Sequence, residues 1–489
     1  MKDAAFPPQT QTPQAAQTAP APSSQGPATA LAATSPSLLS ATLSTLLVRG
    51  LLMPLSLLQG SVLARALGPA GLGLYSAALV DVNVLVALFS LGLPGGLALV
   101  AGEARRLDDR VQRMQALRRL ALRHGFLLVA MTLCAVPLYV GLSRAVALPT
   151  RTLALLLICA VLVVAQFARD VQNALLWGGQ RFTAQNRINA GVQVLLSVAL
   201  LLLWSSDVLK AETALLLQLG SHVLWILASA WASTALSPAA AARRSEPVHG
   251  QLAPAAESTI PVEDPAIRAR RIGLRSYIGV LLDFLLLRID VYLIERLVPA
   301  ATMAHDLGLY QAGVRIAELI LFVPSTLNAV LFAKAAAREN VALVTLRGAK
   351  LSLWIGGLAV ATMWLIGQPL LVLFFGARFA GSFLPCLWVL SGCAATCFAS
   401  PLAGTLSGQH GYPRAILLAQ LAALVVNVVA NWILLPRLGI VGAAMASTLS
   451  YVVSAVLIAA AFAHRYRISW WQLVRPESPW ALFRGLRSN

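Results

Sequence analysis

The sequence predicts an all-α polytopic membrane protein of about twelve transmembrane helices, built from two parallel six-helix repeats that form two lobes around a central cavity. Three observations support this. Hydrophobic residues make up 58% and charged residues 11% of 489 residues, and the mean hydropathy of +0.75 lies far above that of soluble domains. Apolar runs long enough to cross a hydrocarbon core of about 30 Å recur from Ser37 onward. Short motifs recur in both halves of the chain.

The first 36 residues differ in composition from everything that follows. They are mostly Pro, Ala, Gln, Thr and Ser, with too little apolar mass to order themselves. A secretory signal peptide is not expected, because Pro7, Pro8 and a polar run follow the charged start where an apolar core would be needed. We therefore predict a disordered cytoplasmic tail over 1–36.

Apolar runs then divide into six before and six after a Pro-broken stretch. This gives an N-terminal lobe over 37–236, a cytoplasmic linker over 237–272, a C-terminal lobe over 273–464 and a cytoplasmic tail over 465–489. The predicted spans are 38–66, 72–102, 124–145, 152–176, 187–205, 212–236, 273–298, 308–333, 350–373, 383–406, 414–435 and 440–463.

The basic residues predict the orientation. With the N-terminus in the cytoplasm, the cytoplasmic segments hold 26 of the 37 Lys and Arg residues, the opposite loops hold 5, and 6 lie within helices. This bias places both termini in the cytoplasm. The net charge of +18 does not indicate nucleic-acid binding, because the basic residues are not gathered on one soluble module.

An internal repeat supports the two-lobe arrangement. The second run opens with GLYSA (73–77) and the eighth opens with GLYQA (308–312), and each is preceded by an Arg and a Pro-Ala pair. Both halves have an even number of helices and start on the same side. The repeats are therefore predicted to be parallel, related by an axis along the membrane normal.

Charged side chains inside the apolar runs are the candidates for function. Each costs at least about 2.5 to 3.5 kcal/mol at bilayer depth, so it needs a partner or a water-filled cavity. Such charges either neutralise one another and lock the bundle, or bind substrate and coupling ions between the repeats. Arg315 and Glu318 are three apart and could pair on one helix. Counting 1.5 Å per residue places six charges within about 8 Å of the midplane: Arg49, Asp81, Asp283, Arg288, Arg315 and Glu318.

Other features give weaker signals. The five cysteines fall inside apolar runs and are interpreted as small buried hydrophobes, so no metal site is predicted. Asn427 and Asn431 are explained by hydrogen bonding between helices. Pro94 and Pro324 occupy similar places in the second and eighth runs, and each is predicted to bend its helix as a hinge. No nucleophile with a base, P-loop or HExxH motif is present in the sequence, so no catalytic residue is predicted and an enzyme is not expected.

Several motifs resemble one family. They are RALGP (65–69), GLY (73–75) and LGLP (91–94) in the first half, and RID (288–290), GLYQA (308–312), NVVANWILLP (427–436) and GIVGAA (439–444) in the second. Together they resemble the oligosaccharide flippases of the multidrug/oligosaccharidyl-lipid/polysaccharide exporter superfamily. The resemblance extends over about residues 38 to 465 and does not fix the substrate.

This resemblance implies a flippase in the bacterial cytoplasmic membrane. Its cargo would be undecaprenyl-pyrophosphate-linked repeat units of O-antigen, capsule or exopolysaccharide, moved by alternating access between the lobes. Membrane lipids, a polysaccharide polymerase and other export machinery are the implied partners. No cofactor is implied, and a proton or Na⁺ gradient is the expected energy source.

Site roles follow from the chemistry of such a headgroup. A guanidinium forks onto phosphate oxygens and stays ionised, which assigns three arginines to the pyrophosphate: Arg49, Arg288 and Arg315. Four carboxylates are assigned as counter-charges or ion-coupling groups: Asp81, Asp283, Asp290 and Glu318. Asp283 and Glu318 are the first choices for coupling, because burial favours the protonated form of a carboxyl group.

Three alternatives remain open at this point. A drug or cation antiporter of the same superfamily would use the carboxylates for binding, but the arginines of the first, seventh and eighth helices would repel a cationic cargo. A membrane glycosyltransferase or ligase would need a sizeable polar loop carrying acidic or His chemistry. A lipid II flippase would carry two further helices, for which no apolar run follows His464.

Overall fold

The computed structural model describes most of the chain. The described residues are 38–104, 110–146, 152–179, 181–234, 263–322, 324, 341–410 and 414–482. Within these ranges the description omits the side chains of 38–49, 110, 141–146, 233–234, 341, 408–410 and 474. The predicted tail over 1–36 and most of the predicted linker over 237–272 therefore lie outside the described residues.

The N-terminal lobe consists of helices that follow the six predicted runs in order. The first two runs form a nearly continuous path, because α1 spans a kink at Gly68 (φ 64°, ψ 179°) before it ends at Ser90. The bounds are α1 Leu38–Ser90, α2 Leu93–Ala104, α3 Arg110–Val146, α4 Leu153–Gly178, α5 Phe182–Ser205 and α6 Ala211–Thr234.

The C-terminal lobe repeats this order. A 3₁₀ turn, Glu318–Leu321, follows α8, and a second, Ala377–Ser382, separates α9 from α10 after Gly376 (φ 95°). The bounds are α7 Pro265–Leu297, α8 Ala300–Ala317, α9 Val341–Phe375, α10 Phe383–His410, α11 Arg414–Leu438, α12 Ile440–Tyr466 and a short α13 Trp470–Val474. The predicted all-α fold class is confirmed.

Nine helical stretches of the described chain are long and apolar enough to cross a membrane. The helices α7 and α8 are not among these nine, because their charged and polar residues lower their hydropathy. A hydrophobic core runs through both lobes from Val62 to Tyr451. The protein is therefore a multi-pass helical membrane protein.

The start of α7 is one of several that differ from the predicted spans, and its cause is visible. The helix α7 begins at Pro265, whereas the sequence analysis ended the linker at 272. Asp264 caps the helix by accepting a hydrogen bond from the backbone N–H of Ala266 at 2.8 Å, and Pro265 occupies the first turn, where its missing N–H is no loss. Capping thus extends the helix beyond its apolar run.

The lobes meet closely at the end of the bundle that the charge distribution predicts to be noncytoplasmic, called here the outer end. A Cβ atom added to Gly308 would lie 1.8 Å from the carbonyl oxygen of Pro69, so only glycine permits this approach. Arg65 of α1 donates to the carbonyls of Leu373 and Phe374, at 2.6 and 3.1 Å, at the last turn of α9. These contacts close the outer end across the two lobes.

The lobes also touch at the opposite, inner end. The path between α1 and α2 breaks at Leu91 and Gly92, both with positive φ, and Gly92 lies against Gly273 of α7. Pro94 is the second residue of α2, so the break precedes it by two residues. Pro324 is buried, three residues beyond the 3₁₀ turn that follows α8. A hinge role for the two prolines stays a prediction.

Candidate functional site

The charges of α7 and α8 are carried by helices that pack against the N-terminal lobe. Arg288 and Glu318 form a two-pronged ion pair, with Nη1 donating to Oε1 at 2.5 Å and Nη2 donating to Oε2 at 2.9 Å. Their side chains are 24% and 23% exposed. This fork uses both oxygens of the carboxylate, which is the strongest geometry available to such a pair.

The pairing of Arg315 with Glu318 on one helix, considered from the sequence, is not what the structure contains. In the structure α8 ends at Ala317, and Glu318 is the first residue of the 3₁₀ turn that follows it. Glu318 instead meets Arg288 from α7.

Arg315 extends to the other lobe. Its Nη2 donates weakly to the hydroxyl of Ser76 at 3.5 Å, and its guanidinium lies 5.8 Å from the ring centroid of Tyr75. Gly60 leaves space beside it, since a Cβ added there would lie 3.9 Å from Nη1. None of the described carboxylates lies within ion-pair distance of Arg315. Most of its five N–H donors are therefore not committed to a strong acceptor.

Asp290 is the centre of a buried polar network in the C-terminal lobe. It is 2% exposed and accepts hydrogen bonds from Tyr310 Oη (2.8 Å), Ser447 Oγ (2.5 Å) and Asn431 Nδ2 (2.8 Å). Within the described chain it has no cationic partner. Asn431 Nδ2 also donates to Asn427, and Asn431 Oδ1 is buried without a hydrogen-bond partner. A buried carboxylate is thus held by neutral donors from α8, α11 and α12.

The remaining predicted carboxylates lie apart from this network. Asp283 accepts a hydrogen bond from Gln420 of α11 at 3.2 Å and is exposed. Asp81 accepts from Tyr292 of α7 at 3.2 Å, a contact that crosses between the lobes. The side chain of Arg49 lies outside the described residues. The predicted charged layer is therefore several separate groups and not one cluster.

Sequence reasoning missed the residues that hold these charges. Tyr75 and Tyr310 marked the internal repeat, yet each contacts a charge: Tyr75 faces Arg315, and Tyr310 donates to Asp290. Asn427 and Asn431 make hydrogen bonds between helices, as predicted, and Asn431 donates to Asp290, a partner that the sequence did not indicate. For the two tyrosines, their equivalent positions in the internal repeat are a signal that could have found them.

Comparison with known proteins assigns the family. The family model described as polysaccharide biosynthesis protein matches residues 38–332. The chain belongs to the polysaccharide biosynthesis protein family. A comparison with curated proteins finds no match. This match confirms that the chain belongs to a family of polysaccharide biosynthesis proteins, as the resemblance drawn from the sequence implied.

Solved structures share the fold of this family member at low sequence identity. An inward-facing multidrug resistance MATE family transporter of the MOP superfamily is 17% identical with a TM-score of 0.60, covering 89% of this chain and 99% of that one. The lipid II flippase MurJ in an inward closed conformation is 12% identical with a TM-score of 0.59, covering 91% and 96%. A MOP superfamily transporter from Pyrococcus furiosus, described as having a binding pocket of reverse polarity, is 18% identical with a TM-score of 0.57, covering 88% and 95%.

These matches extend over nearly the whole of each chain, so the two-lobe transporter fold is shared from end to end. At identities below one fifth they establish the fold and leave the cargo open. The family and the fold together make this protein a multi-pass membrane protein of the polysaccharide biosynthesis family that shares its fold with known transporters.

Proposed function

We propose that the protein is a flippase that moves undecaprenyl-pyrophosphate-linked glycan units from the cytoplasmic to the outer leaflet of the bacterial cytoplasmic membrane by alternating access. The family assignment and the flippase among the fold neighbours support a lipid-linked cargo. Both termini lie in the cytoplasm in this proposal, as the distribution of Lys and Arg predicts.

Arg315 carries this proposal. A pyrophosphate is anionic and strongly hydrated, so it needs a cation with unused donors inside the bundle. Arg315 offers these, since its described contacts are one long hydrogen bond to Ser76 and the face of Tyr75. Its contacts also come from the opposite lobe, so an anion bound there would touch both lobes at once.

Arg288 has a different role from the one predicted. Its two terminal nitrogens are occupied by Glu318, so a phosphate would have to displace a carboxylate from an established fork. We therefore assign Arg288 to the structural pair, and we keep Arg315, with Arg49 as a second candidate, for the headgroup.

Asp290 is the strongest candidate for ion coupling. Glu318 and Asp283 were preferred from the sequence, but Glu318 is neutralised by Arg288 and Asp283 is exposed. Asp290 is buried without a described cation, so a proton or a Na⁺ ion would neutralise it, and the unpartnered oxygen of Asn431 lies in the same network. A unit charge crossing 100 mV supplies about 2.3 kcal/mol, which is enough to bias a two-state cycle.

A drug or cation antiporter is the second candidate. It is favoured by the MATE fold neighbour and by the number of carboxylates between the lobes. Arg315 opposes it, because an ionised guanidinium without a described carboxylate partner would repel a cation. The polarity of the binding pocket therefore separates the two proposals.

The experiment measures binding and flipping of a fluorescent undecaprenyl-pyrophosphate-linked sugar by the full-length protein in proteoliposomes. Two hydrogen bonds to a charged phosphate contribute about 1.5 kcal/mol or more each, so Arg315→Ala should weaken binding by about 100-fold or more. Arg315→Lys keeps the positive charge but cannot donate two parallel hydrogen bonds, so its affinity should lie between those of Arg315→Ala and the unchanged protein. The control is Arg296→Ala, an exposed cation at the end of α7, which should bind and flip like the unchanged protein.

Two results would overturn the proposal. In one, Arg315→Ala binds and flips the labelled lipid like the unchanged protein. In the other, the unchanged protein exchanges ethidium for protons or Na⁺ and leaves the lipid-linked sugar in its original leaflet, which would favour the antiporter.

A further inference from the structure

A long groove lies on the periphery of the C-terminal lobe, away from the charges between the lobes. It is formed by α9, α10, α12 and the segment that follows α12, and its volume is about 1040 Å³. Its walls are almost entirely apolar, with Leu358, Val452 and Val456 substantially exposed along it. None of the site residues assigned above lines it, so the groove is a separate feature.

The groove has the depth of one leaflet. Along α9 its lining runs from Lys350 to Ala361, which corresponds to about 16 Å at 1.5 Å per residue. That is about half of a hydrocarbon core of about 30 Å. Lys350 stands where the predicted apolar run of α9 begins, nine residues after Val341, so the groove runs from about the inner membrane surface to about mid-depth.

The inner end of the groove is closed by an ordered C-terminal segment. Lys350 Nζ donates to Glu477 Oε1 at 2.6 Å and to the carbonyl of Arg475 at 3.1 Å, and Trp354 Nε1 donates to the carbonyl of Glu477 at 3.0 Å. Leu473 is 5% exposed and packs against the inner ends of α9 and α12. These contacts hold the segment in place, so it forms one wall of the groove.

The rim at this end is cationic. Glu477 compensates Lys350, which is only 7% exposed, but Arg475 is exposed and lies within ion-pair distance of no described carboxylate. Trp470 and Trp471 are 54% and 70% exposed at the same level, where indoles favour the headgroup region. The guanidinium of Arg475 can therefore bind an anionic group at the inner end of the apolar groove.

We propose that this groove is a binding site for an anionic phospholipid of the cytoplasmic leaflet, with its acyl chains between α9 and α12 and its phosphate at Arg475. The match in depth to one leaflet, the apolar walls and the unpaired cation at the headgroup level all fit this occupant. The site does not depend on which cargo the lobes carry.

The test uses the full-length protein, delipidated in detergent and titrated with palmitoyl-oleoyl phosphatidylglycerol or with phosphatidylcholine carrying the same chains, with bound lipid counted by native mass spectrometry. The unchanged protein should bind one molecule of phosphatidylglycerol with a higher affinity than it binds phosphatidylcholine. Arg475→Gln should weaken phosphatidylglycerol binding by about fivefold and remove that preference. Arg437→Gln, an exposed cation at the other end of the same lobe, should change neither.

A second pair of variants places a large side chain either inside the groove or at an equally exposed position outside it. Val456 in the groove and Val429 on α11 outside its lining are both 52% exposed. Val456→Trp should abolish the tight phosphatidylglycerol site, and Val429→Trp should keep it. The proposal is overturned if the two Trp variants bind alike, if the two phospholipids bind alike to the unchanged protein, or if undecaprenyl phosphate displaces phosphatidylglycerol at equal concentration.

Discussion

Replacing Glu318 by Gln tests whether its pair with Arg288 is a structural unit of the C-terminal lobe. Both side chains are about three-quarters buried, at 24% and 23% exposed, and two hydrogen bonds join them. Exposed pairs contribute about 0 to 1 kcal/mol, and removing one partner of a fully buried pair costs about 3 to 5 kcal/mol. The intermediate burial places the expected loss for Glu318→Gln at about 2 to 3 kcal/mol.

The reverse substitution should cost less. Arg288→Gln leaves a carboxylate that can take up a proton and become neutral, whereas Glu318→Gln leaves a guanidinium that stays ionised at any relevant pH. We expect Arg288→Gln to lower the free energy of unfolding by about 1 kcal/mol. The double variant should lose less free energy of unfolding than the two single losses added together, by about 1 to 2 kcal/mol.

The assay is equilibrium unfolding in mixed micelles of detergent and SDS, supported by thermal unfolding in lipid nanodiscs. Arg296→Gln is the control, because this arginine is exposed at the end of α7 and should change the free energy of unfolding little. If Arg288→Gln destabilises the protein as much as Glu318→Gln, the reasoning from an uncompensated guanidinium is wrong. If the two changes simply add, the fork is not an energetic unit.

Two further predictions concern coupling and closure. Asp290→Asn keeps the size of the side chain but removes its charge. Transport by this variant should no longer respond to an imposed pH or Na⁺ gradient, although the protein still folds. A response like that of the unchanged protein would exclude Asp290 as the coupling group. Gly308→Ala should hold the lobes apart at the outer end, because its Cβ would meet the carbonyl of Pro69 at 1.8 Å. Spin-label distances across the outer end should lengthen for it and not for Gly357→Ala, whose Cβ meets nothing within 4 Å.

The helices were predictable because a hydrocarbon solvent leaves the backbone few choices. An apolar run in lipid must satisfy its own backbone hydrogen bonds, so length and composition define where most of the described helices end to within about four residues. The predicted starts were less accurate, since α3 begins at Arg110 and α9 at Val341, well before the predicted 124 and 350. Capping accounts for the start of α7, where Asp264 and Pro265 begin the helix ahead of its apolar run. The helix α8 begins at Ala300 after a connection of two residues, where the sequence analysis allowed a longer loop.

The partners of the charges were not predictable in the same way. The spacing of residues along a helix predicts which side chains share a face. It does not predict which face packs against another helix, or where an α-helix changes into a 3₁₀ turn. Glu318 begins the 3₁₀ turn after α8, and its partner is Arg288 on α7 instead of Arg315 three residues before it. The surroundings of Asp290 come from three other helices, so their convergence depends on the packing of the whole lobe.

Arg315 links the closed outer end to the proposed binding of the headgroup. In α8 a long side chain points back towards the helix N-terminus, which lies at the outer end, so the guanidinium reaches Tyr75 and Ser76 just beneath the contact between Gly308 and Pro69. Separating the lobes there would withdraw Arg315 from both residues. An anion on Arg315 would compete with the same contacts, so binding and the position of the lobes must influence each other by equal free energies. In the proposed flippase, one arginine would thereby couple headgroup binding to the opening of the outer end.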